Sequence, residues 1–252
     1  MEYLSVDEAR DKPGLRLVLT AHVPGPWGQA AKAVLGFRSV AYLPVAQMAG
    51  EANNKLVDWT GMRNAPIAVL DDEPPCSGWL EILFLAERLG QGPSLLPADP
   101  EDRQICLGIG AEICGFWGLG WCRRISMWTL SGPAKTSGSQ GLRDQYGYSP
   151  VTAASAPERL RQILSGLDHR LAAQHALGRR YLVGDRPSAA DLYWASFSIM
   201  FDVPDHLADR IPAYQRAMYD TCEPRVADIL SDRLIAHRDH IFEDVIGLPL
   251  EF

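Results

Sequence analysis

No two cysteines in this chain stand at C-x-x-C spacing. Cys76, Cys106, Cys114, Cys122 and Cys222 are five in all, an odd number with wide gaps. That pattern excludes a zinc ribbon and a dithiol redox motif and argues against a disulfide framework, so reduced and mostly buried thiols are expected. A basic excess is missing too: 24 Lys and Arg face 31 Asp and Glu, for a net charge of −7. Phosphate-rich surfaces would not attract such a chain, so neither nucleic acid nor an anionic membrane is an expected partner. Uninterrupted apolar runs of bilayer-spanning length are also lacking. Near the N-terminus, where a secretory signal needs an apolar core, stand Glu2, Asp7, Glu8, Arg10, Asp11, Lys12 and Arg16. A cytoplasmic protein is the expectation.

What is present is ordinary for a globular protein: 252 residues, 47% hydrophobic and 22% charged, enough for one large domain or two modest ones. The first ninety residues change period several times. Residues 15–20 read as a buried strand with Arg16 at its margin, 22–28 as a Pro/Gly-rich loop, and 29–37 as a helix. A second strand is expected at 40–45, a short helix at 54–60 and a third strand at 67–70. Asp71 to Pro75 should hold a turn and at most a stub of edge strand, since proline cannot donate to a ladder. An amphipathic helix at 79–89 ends at Gly90. This β-α-β unit followed by strand, turn and helix fits a thioredoxin-like sandwich, with a right-handed crossover joining the parallel pair.

Residues 90–99 are rich in Pro and Gly and read as a linker. Everything beyond is helical in pattern: 100–130, 156–177, 189–201, 208–222 and 224–246. Between the first two lies 131–155, rich in Ser, Gly, Thr and Ala, which reads as a lid or as disorder. The sharpest local signal is Ser188-x-x-Asp191 ahead of an apolar run. It predicts a capping box: the Ser188 hydroxyl accepts from the Asp191 N–H while the Asp191 carboxylate takes the Ser188 N–H, with Pro187 and Leu192 as the staple.

The longer run Tyr181-Leu182-Val183-Gly184-Asp185-Arg186-Pro187-Ser188-Ala189-Ala190-Asp191-Leu192 resembles the segment that opens the core helix of cytosolic glutathione transferases. Three further places are similar to that family: Asn64-Ala65-Pro66-Ile67 before the third strand, Leu83 to Leu89 at the end of the following helix, and Ser94 to Pro100 at the interdomain linker. The resemblance covers roughly residues 15–246. It implies an α/β + α architecture: a thioredoxin-like glutathione-binding domain at 15–89, a linker at 90–99 and an all-α domain at 100–246. It implies glutathione as the small-molecule partner, an apolar electrophile as co-substrate, and a homodimer.

The resemblance also assigns roles. Pro66 is expected in cis, with the N–H and C=O of Ala65 turned to the cysteinyl backbone of glutathione like an added strand; Asn64 flanks it. Cys76-Ser77 stand where the family has an acid and a serine that hold the γ-glutamyl group at a helix N-terminus. Counting back from Leu85 places Ser77 and Gly78 there instead, and Ser77 also reads as the N-cap of that helix. The loop His22 to Lys32 resembles the family's Ser/Cys-Pro-aromatic-Ser/Cys pattern, yet both candidate positions, Gly25 and Gly28, are glycine. The thiolate would then rest on main-chain N–H groups around Trp27, Gly28 and Gln29 and on the helix dipole, with Gly25 and Pro26 lining the same loop. His22 is either a loop residue or a proton relay. With no cysteine before Cys76, a protein-thiol redox mechanism is not expected.

For the co-substrate, which the family holds between its domains, the aromatic residues Phe116, Trp117, Trp121 and Trp128 are candidates. Trp117 and Trp121 are four apart, and the stripe reads either as a pocket wall or as helix packing. Arg123 and Arg124 would meet a substrate carboxylate or a partner subunit. His237 and His240 share a helix face, but nothing in sequence completes a metal site, and a solvated helix end is expected. The leading function is activation of glutathione thiolate for attack on an apolar, aromatic electrophile. The alternatives are a non-catalytic binding or scaffold protein, fed by the two glycines, and a glutathione-dependent isomerase.

Overall fold

The apolar run Leu15–Thr20 becomes β1, the central strand of a three-stranded sheet of order β2-β1-β3. The structure, a computed structural model, describes residues 1–132 and 137–252. β2 (Leu43–Gln47) pairs parallel with β1, from Arg16↔Leu43 to Thr20↔Gln47. β3 (Ile67–Leu70) pairs antiparallel, from Leu15↔Leu70 to Val18↔Ile67. The parallel pair needs a crossover, which α2 (Pro26–Phe37) supplies. α2 begins three residues ahead of the expected 29, because Gly25 takes the N-cap and Pro26, with φ preset, fits the first helical position.

One face of the sheet is covered by α1 (Val6–Ala9) and α3 (Asn54–Thr60). Val18, Val45, Ile67 and Val69 there meet Val6, Ala9 and Leu56 in one buried cluster. Leu19, one residue on from Val18, points to the opposite face and lies under Gly28 of α2. α2 also packs on α4 (Trp79–Leu89). The expected stub of edge strand is a single bridge, Ala68↔Cys76, with both main-chain bonds made at 2.8 and 3.0 Å.

Two arginines of this unit are buried, Arg16 against expectation and Arg38. Arg16 is not marginal but 3% exposed. Its guanidinium donates to the carbonyls of Gly14 (3.0 Å) and Asp71 (2.9 Å) and lies 5.7 Å from the Trp59 ring centre. Arg38, at the C-terminus of α2, donates to the carbonyls of Gly90, Gly92 and Pro93 and pairs with Glu87 at 3.5 Å. A side chain at Gly90 would stand 2.5 Å from the Arg38 Cβ, so the chain can pass there only as glycine.

The chain divides into two compact units, Met1–Pro93 with Pro249–Phe252, and Ser94–Leu248. The second is helical: α5 (Pro100–Cys114), α6 (Leu119–Ser131), α7 (Ser137–Gln145), α8 (Pro150–Ala176), α9 (Ala189–Ser198), α10 (Asp205–Ala208), α11 (Ala213–Asp220), α12 (Pro224–Ala227) and α13 (Asp232–Ile241), closing in a π-helical turn at Phe242–Ile246. Every residue of α9 is buried. α5 and α13 pack against it, and α6 packs on α8.

Several expected helices are divided. The stretch read as one helix over 100–130 is interrupted at 115–118, where Trp117 has φ 57°. A Cβ on Gly115 or Gly118 would sit 2.6 Å from the carbonyl of Ala111 or Glu112. By length and mean hydropathy (1.4) Pro100–Ser131 would suffice to cross a membrane, which the sequence expectation had excluded; 44% of that apolar window is buried within the protein. The segment 131–155, read as a lid or as disorder, holds α7 and the start of α8, except for 133–136, which lie outside the described residues. α8 starts at Pro150 because Ser149 and Thr152 cap it reciprocally, and it runs on through Pro157.

Candidate functional site

Three chain segments meet at the C-terminal end of β1, and the pairing register shows why. Val18 is opposite Ile67, so the peptide Ala65-Pro66, which is cis, lies beside the end of β1 where the loop to α2 departs. Cys76 is opposite Ala68 and runs antiparallel to β3, so Ser77 and Gly78 return to the same end. The N-termini of α2 and α4 therefore both begin there, and each carries the partial positive charge of a helix start.

At the start of α2, Gly25 is the N-cap (φ −63°, ψ 132°) with no side-chain cap, and Pro26 follows. Among the described residues no group of the chain accepts the N–H of Gly28. A Cβ on Gly25 would meet nothing within 4 Å, so the missing hydroxyl is not enforced by crowding. On Gly28 the Leu19 side chain is at 3.4 Å, an ordinary contact. Trp27 is half-buried in the first turn. His22 is exposed with φ 60° and its ring is edge-on to Tyr3, centroids 5.9 Å apart.

Asn64 and Ala65 are half-buried beside buried Pro66. The N–H and C=O of Ala65 make no hydrogen bond within the chain among the described residues. At α4 the N-cap is Gly78 rather than Ser77, and Ser77 is exposed ahead of it. The Glu81 carboxylate accepts from the Gly78 N–H at 2.8 Å. An acid thus sits at this helix start, but one turn along from the position where the resemblance expected it. The signal was the pair Gly78-x-x-Glu81, a capping-box spacing that glycine at its head disguises. Cys76 is half-buried and lines a pocket of about 280 Å³ with Ala68, Leu70, Pro74, Phe84 and Leu85. Burial, and then the charges of Glu81 and Glu73, push its thiol pKa up, which disfavours the thiolate.

In the helical unit the four aromatic candidates separate. Trp121 donates from Nε1 to the Tyr146 carbonyl (3.0 Å) and stacks on the Tyr146 ring at 4.3 Å. Trp128 is 7% exposed, with Tyr146 edge-on at 5.3 Å and the Arg143 guanidinium 6.0 Å from its ring. Both thus take part in packing within the helical unit. Trp117 is half-buried in the break between α5 and α6 and so does not share a helical face with Trp121. Phe116, 79% exposed, lies edge-on to Trp121 at 5.0 Å. Arg123 is fully buried and donates to the carbonyls of Met200, Tyr219 and Thr221, so it holds helix ends rather than a substrate. Arg124 hydrogen-bonds the Tyr146 hydroxyl, whose pKa burial raises.

The predicted capping box at α9 forms in altered shape. The Asp191 carboxylate accepts the Ser188 N–H (2.9 Å), but the Ser188 hydroxyl donates to that carboxylate (2.8 Å) and the Asp191 N–H goes to the Ser188 carbonyl. Asp191 also accepts from the Leu182 N–H (2.8 Å) and meets His237 Nε2 at 2.9 Å. The solvated helix end expected at His237 is therefore wrong: the side chain is 2% exposed. His240 pairs with Asp244 at 2.6 Å. No group of metal ligands occurs among the described residues.

No protein-family model matches the sequence, and no curated protein matches it. Solved structures do. A glutathione S-transferase domain-containing protein of Marinobacter aquaeolei VT8 matches with TM-score 0.60 at 17% identity, over 92% of this chain and 100% of that one. A glutathione S-transferase of Methylobacterium radiotolerans, in complex with glutathione sulfonate, matches with TM-score 0.55 at 18% identity, over 86% and 94%. One of Methylobacillus flagellatus KT, with glutathione bound, matches with TM-score 0.55 at 12% identity, over 88% and 98%. Likeness at such identity establishes fold, not reaction.

Proposed function

From a chain that has the glutathione transferase fold, we propose a protein that binds glutathione in its N-terminal unit and activates the sulfur as a thiolate. The observation that carries this reading is the convergence of the α2 start, Ala65-Pro66 and the α4 start at one end of β1. Ala65 offers a main-chain N–H and C=O to the cysteinyl part of the tripeptide, as an added strand would. In this reading the sulfur rests against the Gly28 N–H and the positive end of α2, with Trp27 flanking it. The thiol loses its proton to solvent, the thiolate attacks an electrophilic carbon, and a thioether forms as a leaving group departs or a ring opens. The protein contributes orientation and stabilisation of the anion. His22 has no part in this account, since it is turned out against Tyr3.

The co-substrate in this reading is an apolar, aromatic electrophile, as the resemblance implies. A homodimer in the cytoplasm completes the picture, the dimer drawn from the resemblance and the location from the sequence composition. A second reading, a binding protein without turnover, is favoured by one specific feature: neither Gly25 nor Gly28 brings a hydroxyl or thiol to the sulfur.

The test is retention on immobilised glutathione with elution by the free tripeptide, followed by thiol consumption with aryl halides, epoxides and aryl ethers. Retention and turnover together support the enzyme. Retention without thiol consumption favours the binding protein, and a folded protein that is not retained refutes both.

A further inference from the structure

The residues Pro249–Phe252 pack with the N-terminal unit although the residues just before them belong to the helical one. Leu250 is 6% exposed. The Glu251 carbonyl accepts from Gln29 Nε2 at 3.3 Å and from Lys32 Nζ. Gln29 and Lys32 stand at i and i+3 on α2 and share a face. Gln29 is itself 5% exposed and follows directly on Gly28.

The Tyr3 and Tyr42 hydroxyls lie near enough to Glu251 to sense its charge. Burial first, and that charge in addition, push both up, Tyr42 to about 12. Among the described residues, the titratable or charged groups that interact with Glu251 include Lys32 of α2, Tyr3, and Tyr42 ahead of β2.

We propose that Pro249–Phe252 is a strap that fixes the first turns of α2, with Gln29 and Leu250 as positioning residues for the sulfur of bound glutathione. This rests on the thiolate reading above. Main-chain donors stabilise an anion to the extent that they are held in place before it arrives, since donors that must turn toward it lose most of their effect. A site with a hydroxyl at the helix start tolerates some movement of the helix, because the side chain can follow the sulfur. With glycine at both 25 and 28, the position of the backbone is all there is. A carbonyl that holds the residue after Gly28 is therefore placed where it matters most.

The experiment compares wild type with Leu250→Asp, which puts a carboxylate at a buried position, and with Gln29→Ala, which removes the donor. Amide hydrogen exchange is followed over the first two turns of α2, and glutathione kinetics are followed from about pH 6.5 to about pH 9, a range bracketing the ordinary thiol pKa near 8.5. The expected result is faster exchange confined to α2, with KM for glutathione changed by less than about twofold. A kcat deficit of about five- to tenfold near pH 6.5 should close toward pH 9, where the thiol ionises unaided. Unchanged exchange overturns the strap, and so does a deficit equal at every pH, which reports only a smaller folded fraction. If wild type neither binds nor turns over glutathione, the reading of the site has failed, and that is seen before any variant is made.

Discussion

Gly25 is where this site departs from the pattern it resembles, and nothing around it requires a glycine. Its φ of −63° and ψ of 132° suit serine at a helix N-cap, and a Cβ there meets open space. Gly25→Ser should therefore fold unchanged and place a hydroxyl at the head of α2. A hydrogen bond to a charged group is worth about 1.5–3 kcal/mol, so kcat with glutathione should rise roughly tenfold. Thiol consumption near neutral pH measures it, and a variant no faster than wild type would show that the sulfur does not rest at this helix start. Of the site, the sequence made the glycines and Ala65-Pro66 legible, since each is a local pattern, and left the register at Cys76-Ser77-Gly78 open. It could not show Glu81 reaching Gly78, because a glycine N-cap carries no side-chain signature, nor that His22 would turn toward Tyr3, because the two meet only in the folded chain.

Elements in the helical unit are held by polar groups that have no access to water. Asp191 gathers the Leu182 and Ser188 N–H groups, the Ser188 hydroxyl and His237, so it ties the start of α9 to the preceding loop and to α13. Trp194 Nε1 adds a second tie, to the Leu234 carbonyl at 3.0 Å. Asp191→Ala would strand all of these partners, and each buried polar group left unsatisfied costs about 1–3 kcal/mol. The midpoint of urea unfolding should fall accordingly; a shift under about 1 kcal/mol would mean that water replaces the carboxylate. The strong periodicity of 79–89 and of 189–198 was readable because one stripe, or the whole surface, is apolar. The boundaries of α5, α6, α8 and α11–α13 were not, because they depend on glycine clearance at 115 and 118 and on caps such as Ser149 and Ser231.

Across the whole molecule, burial has pushed up the pKa of many weak acids. Cys122 is raised from the ordinary 9.0 to about 12 and Tyr42 from 10.0 to about 12, chiefly by desolvation, and Cys114, Tyr193 and Tyr219 are raised in the same direction. In each the native state favours the neutral form. The stabilisation is complete below the unfolded pKa, near 9 for the thiols and 10 for the tyrosines, and is lost as the pH climbs through the folded values. Tm should hold to about pH 9 and fall steadily from there toward about pH 12. Tyr42→Phe should flatten the part of that fall that begins near pH 10. A Tm that declines with the same slope in both proteins would sever Tyr42 from the effect.

Sequence alone determined the kinds and order of most elements, a β-α-β unit, a third strand with its turn, then helices, but neither α1 nor α7. Those follow from periodicity and from Pro, Gly and cap residues, which act over a few positions. Tertiary structure decided which polar groups are buried and what they hold. Arg16 and Arg123 cap carbonyls that lie far along the chain, His237 finds Asp191, and Glu251 offers its carbonyl to α2. The reason is that a buried charge or amide must be paired wherever a partner happens to lie in space, and no pattern over neighbouring residues records where that is.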